Sequence, residues 1–389
     1  MKKLLIMASL FWPQKNSGGP PVSIMNLVKS IEGRFETYIV SKNHELGDDK
    51  PLPGIQVGWN TFSFGKAYYV PHGQHSFNNI MKLIDQVQPD VIYQNSFFSY
   101  DDLFPVLIYK RKNQNVKVIV APRGEFYPER LQKGKLKKMV YSSLLRLSGL
   151  LRDVHFQGTG QEECNQCAKL LGTPESHLLD IQNLSVVGIP AQEVIEKSPG
   201  TIRLVYIARV HPTKNILNAI RWLDSVRGNV AFDIFGPIEG EEYWQQCQSA
   251  IAALPNNIRV DYKGMVAHDQ VTDVISGYHG YYMPTTGENF GHSIVESLLV
   301  GRPVVISDQT PWTDVQGVGG YAFPLNQPEQ FSAAIEELCA MGQAEFDALC
   351  EGAKVYIRKK LNTEETVAQY IRAFDGEKND KKSLPTAVQ

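Results

Sequence analysis

Short apolar runs rich in β-branched residues alternate with stretches of helical periodicity along nearly the whole chain. "KLLIMAS", "ETYIVS", "DVIYQN" and "KVIVAPRG" read as strands. Between them, "PPVSIMNLVKSIEG" and "FNNIMKLIDQVQP" carry one apolar helical face, and "DLFPVLIYKRKN" continues the alternation. Repeated strand–helix–strand units build a parallel, doubly wound sheet. The period breaks from Val186 to Gly200 in "VVGIPAQEVIEKSPG", which reads as a linker. A second set follows: strands "IRLVYIAR", "VAFDIFG", "IRVDYKG", "GYYMP" and "PVVISD", with helices "ILNAIRWLDSV", "EEYWQQCQSAIAAL", "HDQVTDVISG" and "GHSIVESLLVG". The fold class expected is therefore α/β, with two doubly wound, Rossmann-like domains at residues 1–187 and 200–360. Their strand-end loops would face each other across a cleft. "TEETVAQYIRAFDG" reads as a helix, within residues 361–375, that packs back toward the first domain. Residues 376–389 read as a polar tail with too few apolar side chains to pack.

A length of 389 residues suits two domains, each with its own core. With 39 basic and 41 acidic residues the formal net charge is −2, so no global field would draw in nucleic acid. Five scattered cysteines do not form a disulfide framework. The start, "MKKLLIMASLFWP", resembles a short secretory leader, but no small-x-small pattern follows, and a buried first strand is the reading adopted. No apolar stretch reaches the ~20 residues that span a bilayer, so a cytoplasmic protein is expected, at most peripheral at a membrane.

Chemistry gathers at the ends of the second domain's strands. In "GYYMPTTGENFGHSIVESLLVGRP" a strand ends in a turn that Gly287 and Gly291 permit, and a helix runs from about Gly291 to Val300. Glu288 lies before that helix and Glu296 inside it. The amides near Phe290, Gly291 and Ser293 form an N-terminus suited to an anion such as phosphate. Like charge makes the two carboxylates better partners for sugar hydroxyls than for phosphate. Taken alone, the pair is also what any helix start beside an exposed helix residue would show. "LVYIARVHPTKN" adds Arg209 and Lys214 at another strand end, placed to neutralise a diphosphate or, alternatively, to form an ordinary solvated loop.

The ordered set of Ala208-Arg209, Lys214-Asn215, "DIFGP", "YKGMV", "GENFGHSIVE" and "GRPVVISD" resembles the C-terminal domain of glycosyltransferase family 4, retaining enzymes of GT-B fold. "GGPPVSIMNLVKSIE" and "PDVIYQNS" extend the resemblance into the first domain. It implies a hexosyltransferase-type enzyme moving sugar from a nucleotide-sugar donor to a glycan or lipid-linked acceptor, in surface-polysaccharide or lipopolysaccharide assembly. No cofactor and no divalent metal are expected. Carried over residue by residue, Arg209 and Lys214 would hold the donor diphosphate, Glu296 the ribose, and Glu288 the transferred sugar. Asn289, Phe290 and Gly291 would contact the donor, Gly18 and Gly19 would let the first domain's backbone approach it, and Lys263 and Gly264 would seat the base. The first domain would bind the acceptor.

The chain departs from the family where a histidine is usual. Here "APRGEFYPE" offers Arg123 and Glu125, which either contact sugar or acceptor or serve as structural partners. Asn183 stands where the family has Asn-Gly. A nucleotide-sugar epimerase, a phosphorylase of the same fold and a catalytically silent glycan binder remain alternatives. Cys164 and Cys167 form C-x-x-C without a second ligand pair. The segment Arg130–Arg152, "RLQKGKLKKMVYSSLLRLSGLLR", sets Lys133, Lys135, Lys137, Lys138, Arg146 and Arg152 among leucines, either as a peripheral membrane contact or as a helix with a solvated basic face.

Overall fold

The computed structural model describes residues 1–14, 19–45, 47–127, 131–132, 134–185 and 194–376. Gly18, Arg130, Lys133, residues 186–193 of the expected linker and residues 377–389 of the expected tail lie outside them. The chain divides into two compact units, residues 1–184 with 363 onward, and residues 185–362.

In the first unit the strands are β1 (Lys3–Met7), β2 (Glu36–Lys42), β3 (Gly58–Phe62), β4 (Gly65–Val70), β5 (Val91–Asn95), β6 (Lys117–Ala121), β7 (Val154–Gly158) and β8 (Leu178–Asp180). They form one sheet in the order β3-β4-β2-β1-β5-β6-β7-β8. Every pairing is parallel except β3 with β4. The apolar start of the chain is thus β1, a central strand whose Leu4, Leu5, Ile6 and Met7 are fully buried. Central parallel strands are covered on both faces, which is why this one reads as a continuous apolar run. Helices α1 (Gly19–Ser30), α2 (Phe77–Val87), α3 (Tyr100–Lys112), α4 (Lys135–Leu147) and α5 (Gln161–Leu171) connect the strands. The hairpin of β3 and β4 was not singled out in the sequence, because a half-exposed edge strand has no continuous apolar run to announce it.

The second unit contains β9 (Thr201–Ile207), β10 (Asn229–Phe235), β11 (Ile258–Tyr262), β12 (Gly280–Met283), β13 (Val304–Ser307) and β14 (Gly320–Phe323). All pair in parallel, in the order β11-β10-β9-β12-β13-β14. Its helices are α6 (Ile216–Trp222), α7 (Glu241–Ala252), α8 (Val271–Ser276), α9 (His292–Leu299), α10 (Pro328–Ala340) and α11 (Gln343–Lys360). Chain direction reverses its progress across the sheet between β9 and β12. In doubly wound sheets ligands bind at the carboxyl ends of strands beside such a switch point.

The final helix, α12 (Thr363–Asp375), belongs to the first unit: Tyr370, Ala373 and Phe374 are buried in the core on that side of the sheet, and Phe374 meets Phe35 edge-on at 5.7 Å. Within the expected linker, Lys197 is buried and donates to the carbonyls of Ser198, Cys339 and Met341 at 3.0 Å each. Two of these acceptors, Cys339 and Met341, bind this end of the segment to the rest of the second unit, a contact that periodicity does not reveal.

One glycine ties fold to site. Gly236 follows β10 at φ +136, and a Cβ there would stand 1.9 Å from the carbonyl oxygen of Ala208. Gly236→Ala is therefore expected to cost about 3 kcal/mol and to shift the end of β9 that carries Arg209. Urea unfolding would check this; an unchanged midpoint would show that the two strand ends can separate freely.

Candidate active site

The loops after β9 and β12, neighbours across the switch point, are stitched together. Thr286 N–H donates to Thr213 O at 2.9 Å, Thr285 Oγ1 donates to the same oxygen at 3.0 Å, and Asn215 Nδ2 donates to Pro284 O at 2.9 Å. These bonds hold Lys214 against Glu288, and the two side chains form a largely buried ion pair. Glu288 N–H also donates to Gln309 O at 2.9 Å, fixing the loop from the β13 side.

Arg209 leaves the same β9 loop but pairs elsewhere, donating through Nη1 to both carboxylate oxygens of Glu239 at 2.9 and 2.8 Å. Glu239 sits beyond β10, brought close where the Val210 and Ile238 backbones pair. It had not been recognised in the sequence. The signal available was a carboxylate following "DIFGPI" at a strand's carboxyl end, but nothing local ties it to an arginine thirty residues earlier.

Helix α9 starts at this switch point. Gly291 is its N-cap at φ +73, and Phe290 is buried beside Trp312, whose indole N–H donates to Phe290 O at 2.5 Å. Ser293 meets Tyr281 Oη at 2.7 Å. A rigid backbone thus aims the first free amides of the helix at the loop. Asn289 lies half-buried between Glu288 and Phe290.

Glu296, one turn farther in, is only 3% exposed, not an exposed helix residue. Its Oε1 has no hydrogen-bond partner, and His268 Nδ1 is 3.8 Å away, beyond hydrogen-bonding reach. Burial pushes its carboxyl up to about 8. An orphaned buried acceptor is costly unless something arrives to use it.

Lys263 follows β11, with its ammonium 3.1 Å from Asp261 and 3.8 Å from Asp233. Its N–H donates to Ile234 O at 2.9 Å, and Gly264 O accepts from Gly236 N–H at 2.8 Å, so part of this turn's backbone is already engaged.

In the first unit, Gly19 opens α1. Arg123, at φ +56, lies in a network of neutral partners: Asn95 Oδ1 at 2.8 and 3.1 Å, Tyr93 Oη at 3.0 Å, and Asn183. Tyr93 in turn bonds Gln157, which reaches Tyr370 Oη on α12 at 3.0 Å. Arg123 therefore links β5, β6 and the segment after β8, and through Tyr93 and Gln157 the helix α12. Glu125 accepts from Ser96 Oγ at 2.5 Å and from the Phe97 and Phe98 amides at 2.7 and 3.2 Å, shaping the turn after β5. Burial raises its carboxyl above the ordinary value despite those bonds.

A second strand-end cluster was missed in the sequence. Asp102, buried at the start of α3, accepts from Ser9 and Ser99 hydroxyls at 2.6 Å each and pairs with His75 Nε2 at 2.6 Å. Burial opposes its ionisation, but the bonds from His75 and the serines outweigh that and lower its carboxyl below the usual range. Cys164 and Cys167 are buried thiols, and burial pushes Cys164 up to about 11.

Residues 190–352 match the family described as glycosyl transferases group 1. The matched segment holds both loops of the switch point, α9 and Glu239, so the second unit is of the group 1 glycosyltransferase type. The whole chain shares the GT-B fold of several solved structures. One is Anabaena HepE in complex with UDP and glucose, at 15% identity over 97% of this chain and 100% of that one, TM-score 0.72. Another is sucrose-phosphate synthase from Thermosynechococcus elongatus, at 12% identity over 97% and 99%, TM-score 0.70. A third is WaaG, a glycosyltransferase involved in lipopolysaccharide biosynthesis, at 12% identity over 96% and 100%, TM-score 0.67. No curated protein matches the sequence.

Proposed function

We propose that the protein is a retaining, hexosyltransferase-type glycosyltransferase of family 4 that moves a sugar from a nucleotide-sugar donor to a glycan or lipid-linked glycan in surface-polysaccharide or lipopolysaccharide assembly. The observation that carries this reading is the switch point of the second unit. There two cations on the strand-end loops, a helix N-terminus and an orphaned buried carboxylate inside that helix lie within the segment that matches group 1 glycosyltransferases. The UDP complex of HepE, on the same fold, supports a uridine nucleotide as the first donor to try.

In this reading Arg209, Lys214 and the α9 amides take up the charge that grows on the diphosphate as the anomeric bond breaks. That supply of positive charge is the reason no divalent metal is invoked. Glu288 and Glu239 pre-orient the two cations. As phosphate displaces them, Glu288 turns to the hydroxyls of the transferred sugar. Glu296 accepts from the ribose hydroxyls. Retention, with attack on the face the diphosphate leaves, is taken from the family resemblance; Glu288 steadies the sugar and is not the nucleophile.

A thermal-shift screen of UDP, GDP, ADP and their sugars, with and without EDTA, tests the reading on the wild type and on Glu296→Ala. One nucleotide class should raise the melting temperature regardless of EDTA, and the shift should shrink in the variant. Absence of any shift would remove the basis of the roles given to Arg209, Lys214 and Glu296. Binding without turnover on any acceptor would favour a silent glycan binder. The anomeric configuration of the product, read by NMR, decides retention.

A further inference from the structure

We propose that His268 reads the ribose of the nucleotide donor together with Glu296, so that the protein prefers ribonucleotide donors to 2′-deoxyribonucleotide donors. The inference rests on the nucleotide-sugar reading of this site and adds to it a residue and a discrimination. His268 opens a short helical turn, His268–Gln270, that leads directly into α8. Two anchors fix where that turn lies. Val271 and Ile275, three and seven positions on, are buried in the core of the second unit and share the face of His268. At the other end of α8 the Ser276 carbonyl accepts from Arg302 Nη2 at 2.7 Å and from its Nε at 3.1 Å, and Arg302 lies just beyond α9. Helix α8 is thereby clamped beside α9, and its leading turn brings an imidazole to the only carboxylate that α9 carries.

The spacing of the two groups points to a ligand. His268 Nδ1 stands 3.8 Å from Glu296 Oε1, too far for a hydrogen bond and close enough for one oxygen atom to reach both. That Oε1 is the buried acceptor without a partner, whereas the His268 side chain is 40% exposed and stands at the rim of the site. A hydroxyl has the chemistry the gap requires: it donates its proton to Oε1 and accepts from the Nδ1–H tautomer of the ring. An ionised phosphate does not, because it has no proton to give and brings like charge to a carboxylate.

Chain order assigns the hydroxyl. His268 follows Gly264, the position at which the family resemblance seats the base, by four residues. Of the two ribose hydroxyls, the 2′ is the one next to the base-bearing carbon. His268 is therefore matched with the 2′-oxygen, and the 3′-hydroxyl is left to Glu296 alone. A donor lacking the 2′-hydroxyl leaves both groups without the oxygen that joins them, and a site built around a hydroxyl penalises its absence.

The test is titration calorimetry of the full chain with UDP, GDP and ADP, each against its 2′-deoxy form, on the wild type, His268→Ala and His268→Asn. For the nucleotide that binds, the wild type should favour the ribose form by at least about tenfold. His268→Ala should weaken the ribose form about tenfold and the deoxy form by less than about twofold. His268→Asn, whose amide nitrogen can donate in place of Nδ1, should restore most of the preference. Ligand-free melting temperatures, expected to match the wild type at so exposed a position, control for folding. Equal losses of both forms in His268→Ala would mean that the ring acts on base, phosphate or fold, and overturn the proposal. So would a wild type without preference, or an alanine variant that keeps it. Those outcomes strike this inference alone, whereas a wild type that binds no nucleotide at all strikes the proposed function and this inference with it.

Discussion

Lys214→Ala is expected to lower the transfer rate constant by about 10²–10³-fold while changing KM for the donor far less. The stitched loops hold Lys214 at the switch point, so in the proposed function its ammonium would already be in place when charge develops on the leaving diphosphate. Preorganised charge of that kind acts mainly in the transition state, which is why the loss belongs in kcat. The fold is affected as well: the pair is largely buried, and removing one partner of such a pair costs about 3–5 kcal/mol, chiefly because Glu288 is left without its cation. Lys214→Met combined with Glu288→Gln removes both charges and should recover the melting temperature without recovering turnover. Steady-state kinetics of both variants check this. A change confined to KM would mean that Lys214 only binds donor, and recovered turnover in the double variant would mean that it only neutralises Glu288.

Glu296→Gln is expected to stabilise the ligand-free protein and to weaken its binding of nucleotide sugar. The folded-state carboxyl titrates near 8, above the ordinary 4.5, because of burial. A raised value means that the folded state binds the proton more tightly than the unfolded state. The contribution is present in full below pH 4.5 and is lost as pH rises toward and through 8. The unfolding free energies of wild type and variant should therefore be close at pH 5 and diverge upward, by at most about 5 kcal/mol in favour of the glutamine by pH 9, as urea unfolding would measure.

Binding runs the other way in the wild type. If ribose hydroxyls donate to the ionised carboxylate, only the deprotonated fraction is competent, and donor affinity should rise about tenfold from pH 7 to pH 9 with proton release on binding. Calorimetry in buffers of different ionisation enthalpy measures that proton. A pH-independent affinity, or the same pH dependence in the glutamine variant, would show that Glu296 does not accept from the ligand as an anion.

Both expectations depend on arrangements that were only partly legible in the chain. Arg209, Lys214, Glu288 and the start of α9 could be placed at strand ends from local pattern, since a buried strand followed by a glycine-rich turn and an amphipathic run announces itself within a dozen residues. Their partners could not be placed. Glu239 reaches Arg209 because the β10 end pairs with the β9 end, and Glu288 reaches Lys214 because β12 lies beside β9. Strand order is a property of how helices cross the sheet, and no window of sequence contains it. Arg123 makes the same point from the first unit. Its type and position left a sugar contact and a structural role equally open, and the structure surrounds it with Asn95, Tyr93 and Asn183, partners drawn from three separate parts of the chain.

Periodicity and turn chemistry alone determined the α/β class, the two successive doubly wound sets, the buried first strand and the short list of strand-end residues, because each depends on neighbours in sequence. Tertiary structure decided which carboxylate meets which cation, that Glu296 is buried with an unused acceptor, that Lys197 anchors the end of the linker and that α12 returns to the first core. It also decided that α4 packs through Ser142 and Leu145 and leaves Leu136, Leu144 and Leu147 to solvent. Those outcomes are set by long-range packing: the free energy of a buried charge or an exposed leucine depends on what the rest of the chain brings within a few ångströms of it.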